Sequence, residues 1–135
     1  MDLVYSFEND TANKIMIFGI GEPAGNGPNK DPNGAYLRIH GPEIGDGEIL
    51  LTTPKGSAAS LGHVKAKGTH LARIEKKDDV VTFAVCMNYD GKFNADFTHT
   101  VTSLNEFVPT MTEKTTRVFF GNGGTFKQVR LTIVK

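Results

Sequence analysis

Residues 69–87, THLARIEKKDDVVTFAVCM, decide the fold class of this chain. On either side of the polar residues 76–79, apolar and polar side chains alternate with the period of two that half-buried strands show. This pattern predicts a β-hairpin with a four-residue polar turn. The side chains predicted to face the core from its two strands are Ala72, Ile74, Val81, Phe83 and Val85.

Outward from this hairpin, the rest of the chain also favours strands. Apolar runs or alternations cover residues 2–8, 14–20, 35–40, 49–53, 92–102, 116–120 and 126–134, the last two being predicted as a closing pair. Residues 19–34 are predicted as the longest loop, since they are rich in Gly, Pro and Asn. No segment keeps a helical period of 3.6 over three turns. We therefore predict an all-β protein, an antiparallel β-sandwich of jelly-roll type with nine or ten strands and no substantial helix.

Length and composition restrict the class of protein further. With 135 residues, the chain is long enough for one domain, predicted over 1–135. Fifteen Lys and Arg balance fifteen Asp and Glu, which argues against a nucleic-acid partner because phosphate binding needs a surplus of positive charge. No apolar run approaches the roughly 20 residues of a membrane helix, so no membrane partner is expected. The first residues lack the pattern of a signal peptide.

The C-terminal half resembles a known superfamily. The strand from His70, the polar turn, the strand that ends at Cys86, the Tyr89-Asp90-Gly91 turn and a last strand over 126–131 resemble the concanavalin A-like lectin/glucanase jelly roll, laminin-G-like domains included. The resemblance implies a non-catalytic carbohydrate-binding or adhesion module, and it favours an extracellular location.

Sugar sites combine an aromatic side chain with amides, carboxylates and hydroxyls. The chain has no Trp, so the aromatic candidates are its tyrosines. The residues predicted to bind carbohydrate are Tyr36, Tyr89, Asp90, Asn94 and Asp96. For the oxygen-rich residues around the Asp90 turn, the alternative is that they serve the turn itself through Asx-type hydrogen bonds.

A calcium site is a further expectation. Asn29, Asp31 and Asn33 place oxygen side chains at alternate positions before Gly34, as at the start of a calcium loop. The carboxylate expected at the twelfth position is missing, because His40 stands there. The alternative is a loop in which these side chains bond to their own backbone. No other cofactor is predicted.

Two other functions stay open. A glycoside hydrolase-like domain would use Glu43, Asp46 or Glu48, but offsets of three and five residues break the period that would put all three carboxyls on one strand face, and the flanking Gly and Pro predict a turn. An assembly protein would use exposed strand edges to form a homo-oligomer. Cys86 lies in an apolar run and is predicted to be a buried, inert thiol.

Overall fold

The structure, a computed structural model, describes residues 1–6, 15–22, 33–41, 43–52, 59–64, 68–102, 117–121 and 125–130. These residues form ten strands and one short 3-10 turn at Gly45–Gly47. The strands are β1 (Asp2–Ser6), β2 (Ile15–Glu22), β3 (Asn33–His40), β4 (Glu48–Thr52), β5 (Ala59–His63), β6 (Thr69–Lys77), β7 (Val80–Cys86), β8 (Phe97–Val101), β9 (Arg117–Gly121) and β10 (Thr125–Arg130).

The strands make two antiparallel sheets of five. The first sheet has the order β10-β1-β6-β7-β8, and the second has the order β5-β4-β3-β2-β9. After β1 the chain crosses to the second sheet for β2 to β5, returns for β6 to β8, and then adds one strand to each sheet. This confirms the predicted class, an all-β antiparallel sandwich of jelly-roll type, for the part of the chain that is described.

The hairpin that decides the class forms as β6 and β7. The register runs from Leu71 opposite Cys86 to Lys77 opposite Val80. The turn has two residues, not the predicted four, because the strands stay paired up to Lys77 and Asp78 takes a φ of 52°. A positive φ at this position is typical of the tight turns whose twist matches that of paired strands.

The core lies between the two sheets and takes alternate residues from each. The five side chains predicted to face it from the hairpin are all buried there. From the second sheet, the fully buried side chains include Met16, Phe18, Leu37 and Ile49. Removing a side chain of this kind from water stabilises the fold by about 1.5–3 kcal/mol. The strong period of two along the chain therefore determines which side of each strand faces inward.

Three predicted elements differ in the structure. The 116–120 and 126–134 segments are not a closing pair, because β9 pairs with β2 in the second sheet and β10 pairs with β1 in the first. The strand predicted over 92–102 begins only at Phe97. The predicted loop 19–34 is shorter, since β2 runs to Glu22 and β3 begins at Asn33. A strand is also present at β5, where the sequence has no clear period.

One aromatic side chain closes the gap between the sheets at their β8 and β5 edges. A Cβ atom added to Gly62 of β5 would lie 2.3 Å from Cε1 of Phe97 in β8. The Phe97 ring therefore packs directly on the Gly62 backbone, which also has a φ of +154° that favours glycine.

Candidate functional site

The outer face of the second sheet carries an unusual set of polar side chains. Strand β3 sends alternate residues to opposite sides, and its inward residues are part of the core. The residues between them lie on the outer face, and they are Tyr36, Arg38 and His40.

Strand pairing extends this face to the neighbouring strands. Arg38 lies opposite Ile17 of β2 and Leu50 of β4. One further step of the same register places Glu48 next to His40, and the charge of Glu48 acts on the His40 ring. We call Tyr36, Arg38, His40 and Glu48 the outer patch.

The outer patch holds buried polar atoms with unused hydrogen-bonding capacity. The exposed fraction of His40 is 8% and that of Tyr36 is 3%. Within the described part of the chain, both ring nitrogens of His40 and the Nε atom of Arg38 lack a hydrogen-bond partner. A buried polar group left in this state costs about 1–3 kcal/mol, and most native proteins avoid it. The patch therefore contains buried donors and an acceptor whose hydrogen bonds are incomplete among the described residues.

Electrostatics determine the form of the His40 ring. Burial lowers the pKa of His40, the positive charge of Arg38 lowers it further, and Glu48 raises it in part. At neutral pH the ring is therefore uncharged, with one N–H donor and one nitrogen acceptor. Together with the Arg38 Nε–H and the carboxylate oxygens of Glu48, the patch offers both donors and acceptors across two adjacent strands.

The other predicted ligand residues lie on the opposite side of the sandwich. Tyr89 and Phe93 belong to the segment between β7 and β8, which we call the β7–β8 loop (residues 87–96). Both side chains pack on a small apolar cluster formed by Val4, Leu71 and Cys86 on the outer face of the first sheet. Cys86 is a buried free thiol, as predicted.

Two acidic side chains of the β7–β8 loop accept hydrogen bonds from the backbone of the loop itself. The Oδ1 atom of Asp90 accepts a 3.0 Å hydrogen bond from the Lys92 amide. The Oδ2 atom of Asp96 accepts one of 2.6 Å from the Met87 amide, and Asn94 is exposed. This is the turn chemistry that the sequence left open as an alternative. The five predicted residues thus form two groups, with Tyr36 on one sheet and the other four near the other.

Side chains of the first sheet hold this loop in place. The Arg73 guanidinium donates hydrogen bonds of 2.7 and 2.9 Å to the two carboxylate oxygens of Asp2, and it lies 3.9 Å from the centre of the Phe93 ring. The buried His70 accepts a 3.2 Å hydrogen bond at Nδ1 from the Asn88 amide, which requires the neutral ring. The amide of Tyr89 donates to the Thr69 carbonyl at 2.7 Å.

The carboxyls of the hydrolase alternative do not share one strand face. Glu43 and Asp46 are exposed in the turn before β4, whereas Glu48 is half-buried at the first position of that strand. The predicted turn is confirmed, and Asp46 has a φ of 58° within it. His63 contacts the Asp46 carbonyl through Nδ1 at 3.4 Å.

The proposed calcium ligands are largely beyond what the structure describes. Asn29 and Asp31 lie outside the described residues, and Asn33 is the first residue of β3. Among the residues that are described, no group of three or more His, Cys, Asp or Glu side chains is arranged to hold a metal ion. In the same part of the chain, no helix has the length and apolar character needed to cross a membrane.

Sequence reasoning missed Arg38 and His40. The signal was present, because residues 36, 38 and 40 share one face of any strand that buries Ala35, Leu37 and Ile39. The alternation alone does not show that this face would be buried while its polar atoms remain unpaired.

No protein-family model, curated protein or solved structure matches this chain.

Proposed function

We propose that this protein is a non-catalytic carbohydrate-binding module of the concanavalin A-like kind and that the outer patch is its ligand face. The observation that carries the proposal is the set of buried, unpartnered nitrogens of Arg38 and His40 on one face of β3. Groups of this kind are retained at a cost in stability, which a bound ligand would offset by completing their hydrogen bonds. Because these nitrogens are buried, the proposal requires neighbouring side chains to move aside when the ligand binds.

A polyhydroxylated ligand fits the chemistry of the patch. Neutral His40 offers one donor and one acceptor, Arg38 offers a donor, and Glu48 offers acceptors. A sugar hydroxyl can donate and accept at the same time, so neighbouring hydroxyls of one ring can satisfy such a mixed row. A phosphate or carboxylate ligand only accepts, and it would face the Glu48 charge.

Apolar residues beside the patch add contact area. Ile17 and Leu50 are half-buried and flank Arg38 on either side. They can cover the carbon-bound face of a sugar ring. Tyr36 is too deeply buried to serve as a stacking platform.

The proposal is tested by a glycan-array screen of the purified protein with and without millimolar calcium, followed by calorimetric titration of any hit. We expect Arg38→Lys, which keeps the charge but removes the Nε donor, to weaken binding at least about tenfold. His40→Leu should do the same. A calcium-dependent hit would support the predicted site at Asn29, Asp31 and Asn33, and a calcium-independent hit would argue against it.

Matched controls come from the β7–β8 loop. Tyr89→Ala and Asn94→Ala change residues near the first sheet and should leave the affinity within about twofold. If these variants abolish binding and Arg38→Lys does not, the ligand site is the loop and the outer patch is excluded. If no glycan binds at any calcium concentration, the carbohydrate proposal is wrong.

A further inference from the structure

The two sheets end in four edge strands, and three of them carry features that hinder pairing with another strand. Natural proteins protect such edges with bulges, charged residues, Gly or Pro. Strand β10 is bulged against β1 and contains Lys127 and Arg130. Strand β5 is bulged against β4 and contains Gly62. Strand β9 begins at Arg117 and ends at Gly121.

Strand β8 is different. Its sequence, Phe97-Thr98-His99-Thr100-Val101, contains no Gly, Pro, Lys, Arg, Asp or Glu. Its ladder with β7 is regular over all five residues. Within the described part of the chain, β7 is the only strand that pairs with it, so alternate backbone N–H and C=O groups of β8 point away from the sheet.

The position of this edge is set by contacts on its inner face. Phe97 packs on Gly62 of the other sheet, and Val101 is buried in the core. Thr98 and Thr100 lie on the outer face and are exposed. The edge is therefore held in an extended conformation, and little ordering is needed when another strand pairs with it.

We propose that β8 is a self-association edge, at which a second copy of this chain adds its own β8 in antiparallel orientation. The two-fold axis passes through His99, which pairs with His99 of the partner subunit. Phe97 then faces Val101 of the partner subunit, and the two five-stranded sheets join into one sheet of ten strands.

This register is chemically self-complementary. It places Thr98 opposite Thr100 of the partner subunit on the outer face, twice. The same kind of contact already exists inside the chain, where the hydroxyls of Thr82 and Thr100 are 3.3 Å apart. No Lys, Arg, Asp or Glu faces another across the axis. On the inner face the two His99 side chains meet at the axis, and on either side Phe97 lies opposite Val101 of the partner subunit, an aromatic and β-branched cross-strand pair of the favourable kind.

The test is sedimentation velocity of the full chain over a wide concentration range. We expect the mass to rise from 14.7 kDa toward twice that value as the concentration increases. The double variant T98K/T100K puts lysine against lysine at both pairs and should weaken association at least about tenfold, as should T98E/T100E. Because both threonines are exposed, neither variant should change the circular dichroism spectrum.

The strongest support would come from mixing the two variants. Lysine and glutamate copies should form a heterodimer although each alone stays monomeric, since the mixture restores favourable pairs only if these strands meet. Ser60→Lys, at an exposed residue of β5, is the control and should leave the wild-type mass unchanged. A wild-type chain that remains monomeric throughout overturns the proposal. A dimer that both variants leave intact overturns it as well, because its interface must lie elsewhere.

Discussion

The outer patch and the β7–β8 loop are both rich in polar residues, but their hydrogen bonds differ. In the loop, Asp90 and Asp96 accept hydrogen bonds from loop amides, so their carboxylates stabilise a turn. In the patch, the nitrogens of Arg38 and His40 are buried without partners among the described residues. A dense cluster of polar residues is therefore weaker evidence for a ligand site than a few polar atoms whose hydrogen bonds are incomplete.

The largest loss of stability is expected at the contact between β5 and β8, where the Phe97 ring packs on Gly62. Gly62→Ala should lower the free energy of unfolding by about 2–4 kcal/mol, because the new Cβ would overlap the Phe97 ring and the φ of +154° disfavours alanine. Urea unfolding measures the loss. Gly62→Ala combined with Phe97→Leu should lose less than the sum of the two single variants, since the smaller side chain makes room. If the losses of the two single variants simply add in the double variant, the contact between Gly62 and Phe97 is not the cause of the lost stability.

A smaller effect is expected in the loop. Asp96→Ala should lower the free energy of unfolding by about 1 kcal/mol, because it removes the hydrogen bond that the Asp96 carboxylate accepts from the Met87 amide. Asp90→Ala is the matched control and should cost about 0.5 kcal/mol, since its bond spans only two residues. Chemical denaturation and calorimetric titration, run side by side, separate stability from binding. If Asp96→Ala removes glycan binding without loss of stability, the β7–β8 loop is a ligand site and its carboxylates do more than stabilise a turn.

In the outer patch, we expect a substitution to raise the free energy of unfolding instead of lowering it. His40→Leu removes two unpartnered nitrogens and keeps a similar volume, so we expect the free energy of unfolding to rise by about 1 kcal/mol while ligand affinity falls. Thermal unfolding with and without the ligand measures both quantities. His40→Gln, which keeps a polar side chain, should not raise the stability. A destabilised His40→Leu variant would mean that the ring has partners and that the patch is structural.

The smallest effect concerns pH. The pKa of His40 is lowered in the folded chain, whereas the unfolded chain titrates near the ordinary value of 6.5. As the pH falls below about 6.5, the unfolded state takes up a proton that the folded state does not, so the free energy of unfolding decreases until the folded ring is also protonated. Denaturation at pH 7.5 and 5.5 should show a smaller decrease for His40→Leu than for the wild type. Equal decreases would contradict the lowered pKa.

Individual residues show which features of the fold can be predicted from the sequence. The inward direction of Ala72, Ile74 and Phe83 follows from a local period of two, because successive residues of a strand point to opposite sides. Phe93 falls within the strand predicted over 92–102, but in the structure it lies outside β8, packs on the outer face of the first sheet and contacts Arg73. Its place depends on a cation–π contact with a distant strand, which no local pattern contains.

The sequence by itself determined that the chain is all-β, that it forms a two-sheet sandwich, and that Ala72, Ile74, Val81, Phe83 and Val85 of the β6–β7 hairpin face the core. These properties depend on alternation and turn residues, which act over a few positions along the chain. Only the tertiary structure decided that β9 and β10 join different sheets, that Tyr36 and Tyr89 lie on opposite sides, and that Arg38 and His40 are buried without partners. Strand partners, burial and hydrogen-bond completion depend on residues far apart in sequence, and such contacts are defined only when the two sheets pack.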